Sequence, residues 1–432
     1  MKAILHRVLN YIYKLESNIA FYPSLISLGG FLFAFLMYYV EHLHVSKYLV
    51  EHVPWLVINN VETARTILTT FIAGLISIMV FSFSMVMILL NQASSNFSPR
   101  VLPGLISNRR HQVILGIYNS CLLYCIFTLI SIEPTGDKYQ LPGFSVLLAI
   151  VFMTFCLGAF IYFIHSISQE IQISNIMSVI FNTAKNRLNT LVEFEKTGES
   201  SFPNSAHWLV LKSKTSGYME DVSLSAVFEA VKDHGVKVDI MVYKGEYVFK
   251  GNPLFRIERK IKSDAIDSIF SAFNFSKSEF IEDNYVLAFK QLTEIAVKAM
   301  SPGINDPGTA INAIDYLTEL FLMRMRKKDK SYYFNASGVA IVHLKSTSFK
   351  VLLYEVMGAL RTYCKHDIVI VQKLLGMFEH MLQHTDTAEE SYKNMALREA
   401  ENLYEDASSA ISNKADLEGI TKRLGILKHI AV

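Results

Sequence analysis

Four small polar residues, Thr70, Ser77, Ser84 and Asn91, stand seven apart within an otherwise apolar run from residue 66 to residue 91. A helix turns once per about 3.6 residues, so groups seven apart fall almost on one line, drifting only about 20° per heptad. Hydrocarbon offers no water, so such groups must meet protein or line a wetted path. Two chemistries are open to them. Hydroxyls and a carboxamide facing a conduit can replace part of the hydration shell of a passing ion. The same small residues, with Ala73 and Gly74 close to their face, also let two helices approach closely, and a hydroxyl can donate to its own backbone. Pore lining and helix packing both remain open from the sequence.

A second candidate group lies in Ser301-Pro302-Gly303-Ile304-Asn305-Asp306-Pro307-Gly308-Thr309-Ala310. Pro302 and Gly303 stop the preceding helix, Asp306 is a natural N-cap, and Pro307 takes the first helical position, where its missing N–H costs nothing. The amides of Gly308, Thr309 and Ala310 could instead hold an anion, which the charge of Asp306 opposes. The alternative to a cap is therefore a cation or polar ligand at Asn305, Asp306 and Thr309. Arg100, Arg109 and Arg110 form a basic cluster that either touches lipid headgroups or surrounds a channel mouth. Arg324, Arg326, Lys327, Lys328 and Lys330 read as a solvated helix end. The histidines at Glu41-His42, His44 and Glu51-His52, and the pair His380 and His384, lack the companion ligands of a zinc signature. With no phosphate loop, nucleophile elbow or triad beside them, no metal, cofactor or enzymatic activity is expected.

These residues need elements to position them. A mean hydropathy of +0.28, with 51% hydrophobic and 19% charged residues, is too apolar for an ordinary soluble enzyme and too mixed for a chain lying wholly in the membrane. Runs able to cross roughly 30 Å of hydrocarbon extend over Asn18–Val40, Thr66–Leu90, Val113–Ile132 and Pro142–His165, and none follows residue 166. The first run follows a charged, helix-like segment and lacks a small-residue cleavage pattern, so it is expected to stay in the protein. Lys2, Arg7 and Lys14 precede it, and Arg100, Arg109 and Arg110 separate the second and third runs. Lys47, Arg65 and Lys138 are spread over the opposite loops, so both termini are expected to be cytoplasmic. A net charge of +2 argues against a nucleic-acid partner. Cys121, Cys125 and Cys156 fall inside spans and Cys364 beyond them, which suits reduced, packed thiols.

Past the fourth run, Ile167, Ile171, Ile176, Ile180, Leu188 and Leu191 keep an approximately helical spacing. The fourth helix is expected to continue out of the membrane, up to a linker at Lys196–Asn204, and to couple membrane and cytosol rigidly. Short strands come next, at Trp208–Lys212, Val236–Tyr243 and a hairpin over Gly245–Ile257, interrupted by a helix at Leu224–Asp233. The remainder reads as helical, with a strand at Val339–Leu344 and a helix opening at Pro307. The domains expected are a four-helix membrane part over 1–165, an extended helix and linker over 166–203, a β module over 204–262 and a mainly α-helical region over 263–432.

Gly245-Glu246-Tyr247-Val248-Phe249-Lys250-Gly251-Asn252-Pro253-Leu254 resembles the hairpin of lipoyl and biotinyl carrier domains and of related barrel-sandwich modules. No lysine stands at the tip of the expected acceptor turn, so covalent cofactor attachment is not implied. Gln92-Ala93-Ser94-Ser95-Asn96-Phe97-Ser98-Pro99-Arg100, the Ala299–Ala310 segment and Ser216-Gly217-Tyr218 together resemble the bacterial predicted membrane proteins known as domain of unknown function 2254, over about residues 15 to 365. That resemblance implies an inner-membrane protein with four spans and brings no activity with it. The fold class expected is thus an α-helical membrane domain of four transmembrane helices plus an α+β cytosolic domain containing a small barrel-sandwich-like β module.

Absence of ionisable residues from the span interiors disfavours a proton relay or an ion-coupled transporter. The leading functional expectation is a homo-oligomeric ion channel or pore in the lipid bilayer, lined by the second span, closed by apolar rings such as Phe81, and gated by the cytosolic part. The competing one is a membrane-anchored sensor or scaffold whose β module binds a small ligand or partner.

Overall fold

The computed structural model describes residues 20–43, 45–55, 57–58, 60–96, 109–132, 141–170, 172–195, 202–276, 284–335, 337–383 and 390–431. The chain divides into two compact units, residues 1–172 and 173–432.

The first unit contains α1 (Phe21–His42), the short α2 (Val45–His52), α3 (Val61–Asn96), α4 (Arg109–Ile130) and α5 (Gly143–Glu170). Four of these are long and apolar enough to cross a membrane: Phe21–His42, Val61–Leu89, Arg109–Ile130 and Gly143–Gln169. Helices α1 and α4 touch backbone to backbone through small residues. A Cβ on Gly30 would fall 2.0 Å from the Ser120 hydroxyl, and one on Gly116 would meet Ile26 at 2.9 Å and Pro23 at 3.2 Å. Small residues are how helices gain contact where lipid is as apolar as leucine. Asn119 donates from Nδ2 to Ser27 Oγ (2.8 Å), and Tyr124 donates its hydroxyl to the Ser145 carbonyl (3.0 Å). Asn119, Ser27 and Tyr124 thereby find partners between helices, as hydrocarbon requires.

In the second unit, α6 (Ile173–Glu195) packs on α9 (Tyr285–Ala299) and α10 (Pro307–Arg324). The expected continuous fourth helix is thus two helices. The α-helical ladder of α5 ends at Glu170, and the Gln172 amide donates to the Gln169 carbonyl (3.2 Å), a tighter three-residue turn, before α6 begins.

The strands are β1 (Leu209–Lys212), β2 (Gly217–Val222), β3 (Val238–Ile240), β4 (Tyr247–Val248), β5 (Pro253–Ile257), β6 (Phe273–Ser276), β7 (Lys330–Phe334) and β8 (Ala340–Lys345). They form an open five-stranded sheet, β1-β5-β3-β8-β7, and an open three-stranded sheet, β4-β2-β6; among the described residues neither closes into a barrel. The anticipated hairpin over 245–257 is split between the sheets, since β4 pairs with β2 while β5 pairs with β1 and β3. Gly245 (φ 83°) and Gly251 (φ 93°) occupy left-handed backbone at the two turns that make this exchange. At Gly217 a Cβ would lie 3.1 Å from the Ser276 carbonyl oxygen, so the glycine allows β2 and β6 to approach. Helices α7 (Leu224–Val231) and α8 (Ser263–Ser271) cover a core of Val238, Ile240, Phe255, Ile257 and Val342. The rest of the unit is α11 (Phe349–Cys364), α12 (Ile368–Gln383), α13 (Glu390–Ala410) and α14 (Lys414–Ile430).

Candidate functional site

Helix α3 carries two parallel stripes, each with a spacing of seven. Leu68, Leu75, Ser82 and Leu89 are fully buried, at 0 to 2% exposure, with α4 and α5 as neighbours. Thr70, Ser77, Ser84 and Asn91 are all exposed. Each polar residue stands two positions beyond a seam residue, about 200° around the helix. The polar stripe therefore faces directly away from the packing seam of its own unit, and packing within that unit does not account for it.

Each hydroxyl of the stripe donates to the carbonyl four residues back: Thr70 to Thr66 (2.7 Å), Ser77 to Ala73 (2.9 Å) and Ser84 to Val80 (2.9 Å). A hydroxyl has one proton and two lone pairs. With the proton committed to the helix, the oxygens present acceptors outward. Phe81, on the same side of the helix, is half exposed and rests edge-on against Phe160 of α5 at 5.8 Å.

Among the arginines, Arg109 lies 4.5 Å from the ring centre of Tyr22 on α1, Arg110 is exposed beside it, and Arg100 lies outside the described residues. Asp306 caps α10. Its Oδ1 accepts from the Thr309 amide (3.1 Å) and its Oδ2 from the Thr309 hydroxyl (2.6 Å), and these bonds hold its carboxyl below the usual carboxylate range. Asn305 sits in left-handed backbone (φ 48°), a conformation asparagine tolerates, and the Asp306 amide donates to the Ala299 carbonyl (2.8 Å). Asn305, Asp306 and Thr309 thus come together as the turn between α9 and α10.

The basic cluster read as a solvated helix end is partly internal. Arg324 is fully buried and Lys327 nearly so. Arg324 donates to Asp329 Oδ1 (2.5 Å) and to the carbonyls of Lys327 (2.8 Å) and Thr347 (3.0 Å). Burial opposes its charge, but Tyr285, Asp329 and Tyr392 outweigh that and raise its pKa above the ordinary arginine value. The segment after α10 supplies Asp329 and the Lys327 carbonyl, and the β8–α11 connection supplies the Thr347 carbonyl, which charge spacing alone does not reveal.

Two further clusters escaped the sequence reading. Glu41, at the end of α1, accepts from the amide and hydroxyl of Ser145 (2.8 Å each) and from the Ser46 hydroxyl (2.5 Å), while Ser46 Oγ accepts from the Phe144 amide (2.9 Å). The carboxylate thereby latches the N-terminus of α5, where the helix dipole favours negative charge. On the five-stranded sheet, Arg256, Asp239, His343 and Tyr332 are register neighbours across β5, β3, β8 and β7. Asp239 accepts from His343 Nδ1 (2.8 Å) and the Ser205 hydroxyl (2.5 Å), with Arg256 at 3.8 Å. Burial works to raise the Asp239 pKa, yet these partners hold it below the usual range. Phe202 lies 5.7 Å from the His343 ring and 5.8 Å from Tyr332, covering this row. Near the three-stranded sheet, a cavity of about 600 Å³ is lined by Ser213, Thr215, Ser216, Phe270 and Phe273, with the exposed Lys214–Asp267 pair (2.7 Å) at its rim.

Four helices long and apolar enough to cross a membrane, followed by a mixed α/β unit, define the class as a membrane protein. The chain belongs to the predicted membrane protein family DUF2254, whose model matches residues 16–380. It is similar to uncharacterized proteins of Mycobacterium bovis and Mycobacterium tuberculosis, with 23% identity over 333 residues, which is 74% of this chain and 64% of each relative. The chain therefore spans a little under two thirds of the length of these relatives. No solved structure matches it.

Proposed function

We propose that the protein is a homo-oligomeric ion channel or pore of the bacterial inner membrane, with α3 of each copy nearest the axis. Both termini and the 173–432 unit lie on the cytoplasmic side, where that unit gates or tunes the path. One observation carries the reading: the Thr70, Ser77, Ser84 and Asn91 stripe is exposed directly opposite the buried seam of α3. Closed cyclic symmetry would bring copies of that stripe together around an axis. Outward hydroxyl oxygens suit water and cations better than anions, because they offer lone pairs. Arg109 stacks against α1, so the stripe rather than the arginines sets this preference.

Reconstitution of the purified chain in planar bilayers tests the proposal. It predicts cation-selective conductance that Ser77→Leu reduces while the oligomer persists, since apolar bulk favours dewetting of a narrow path. Silent bilayers containing an intact oligomer, under every applied voltage, would contradict it. The second reading, a membrane-anchored sensor, draws support from the cavity rimmed by Lys214 and Asp267. Its sign would be a small polar ligand that protects the second unit from unfolding in a protein that never conducts.

A further inference from the structure

One face of α1 carries Tyr22, Ile26, Gly29 and Phe33, at positions i, i+4, i+7 and i+11. One face of α4 carries Arg109, Ile117, Ser120 and Tyr124. At the N-terminal end of both helices Arg109 stacks on Tyr22, with Arg110 exposed next to it. Deeper along the same faces lies a cavity of about 500 Å³, lined by Ile26, Gly29, Phe33, Ile117, Tyr124 and Phe155. At about 1.5 Å per residue, the cavity begins roughly 6 Å below Tyr22 and reaches roughly 16 Å below it. A Cβ on Gly29 would meet no atom within 4 Å, and Phe155 is 69% exposed, so the cavity opens sideways from the helices. Its volume is that of a small-ligand site, roughly 300–1,000 Å³.

We propose that this groove binds one anionic phospholipid, its phosphate beside Arg109 and Arg110 and an acyl chain in the cavity between α1, α4 and α5. Charge and polarity change in the right order along the groove. A planar guanidinium pairs with phosphate oxygens at headgroup depth, and an almost wholly apolar chamber follows at hydrocarbon depth. An apolar chamber alone would hold any chain with little preference, because lipid tails are as apolar as the protein. Selectivity comes from the arginines, whose attraction to anionic lipid is additive and local. The inference rests on the membrane reading of the first unit and is independent of whether α3 lines a pore.

Native mass spectrometry of the full chain, loaded with dioleoylphosphatidylglycerol or dioleoylphosphatidylcholine, tests it. The wild type should retain one phosphatidylglycerol per subunit in preference to phosphatidylcholine. Arg109→Gln with Arg110→Gln should abolish the preference, with about a fivefold loss per arginine. Gly29→Leu, which fills the cavity from its open side, should lower retention of both lipids. A measurement on the unmutated protein guards against a folding failure: phosphatidylglycerol, and not phosphatidylcholine, should raise the unfolding temperature of the wild type in a concentration-dependent way, as a ligand bound only by the folded state does. Equal retention of the two lipids, Gly29→Leu retaining lipid as the wild type does, or a wild-type unfolding temperature indifferent to phosphatidylglycerol would each overturn the proposal. So would a Gly29→Leu variant that changes the oligomer rather than the lipid content, because the cavity would then belong to a subunit contact.

Discussion

Helices α3 and α9 are both built to hide apolar surface, yet they hide it from water in different ways. Along the span of α3 few residues are buried inside the protein, although the helix is strongly apolar. In α9, 11 of 15 residues are buried, against α6, α10 and α11. Exposed Ile76 and Phe83 on α3, beside the polar stripe rather than on it, need no explanation, because a bilayer covers them. On such a helix the informative residues are the polar ones on the exposed side. On α9 the reverse holds, and the informative residues are the polar ones inside.

That contrast can be broken by substitution. Phe289 is fully buried and packs 4.7 Å from Phe321, so Phe289→Ala should cost about 3–5 kcal/mol. Ile161 on α5 is 70% exposed, and Ile161→Ala in a bilayer should change stability by no more than about 0.5 kcal/mol. Denaturation of the full chain in lipid nanodiscs compares them; equal costs would mean that the first unit is also held by protein packing at that face.

Arg324 sharpens the same comparison from the polar side. Replacing it with leucine removes this donor from Asp329 and from two carbonyls. Asp329 keeps the Phe349 amide (2.9 Å) and the Lys327 carbonyl the Tyr392 hydroxyl (3.4 Å), so the expected cost is about 1.5–3 kcal/mol. If Arg324→Leu unfolded the second unit no earlier than an exposed Lys330→Leu does, the internal role assigned to the guanidinium would be wrong.

In the first unit the polar groups worth most should be those that join helices. Glu41→Gln weakens charge-assisted bonds to Ser145 and Ser46, with an expected cost of about 1.5–3 kcal/mol. Proteolysis at the Glu41 end of α1 and the Gly143 end of α5 would report it. Unchanged protection would place the helix contact elsewhere, at Gly30 and Ser120.

The smallest effect is expected at Asp306, where alanine should cost about 1 kcal/mol of α10 stability. Its folded pKa lies below its unfolded value. The cap's contribution is therefore present above the ordinary carboxylate range, near about 3.9, and is lost as pH falls through the folded value. Wild type and Asp306→Ala should converge in thermal stability under strong acid. A difference that persisted there would remove the carboxylate from the account.

Features fixed by near neighbours were legible in the sequence. The four long apolar helices follow from run length, and the Asp306 cap from the proline beside it at the first helical position. The spacing of seven on α3 was legible too, but not the side it faces, because that depends on where α4 and α5 lie. The five-stranded sheet was harder. β3 and β8 overlap expected strands, but their pairing joins Asp239 to His343 across 104 residues, a distance no local pattern spans. The 245–257 segment has the turn glycines of a hairpin, yet its strands part into two sheets. Glu41 drew notice beside histidines, while its partner Ser145 stands about a hundred positions away.

The central claim concerns which side of α3 meets water. Single cysteines at Thr70, Ser77, Ser84 and Asn91 can be compared with cysteines at the seam positions Leu68, Leu75 and Leu89, in a background lacking Cys121, Cys125, Cys156 and Cys364. A charged methanethiosulfonate reagent should modify the stripe positions readily and the seam positions slowly, because a thiol in an apolar setting seldom forms the reactive thiolate. Equal protection of stripe and seam, in resting and stimulated protein alike, would contradict the pore and leave the stripe as a contact between helices of neighbouring copies.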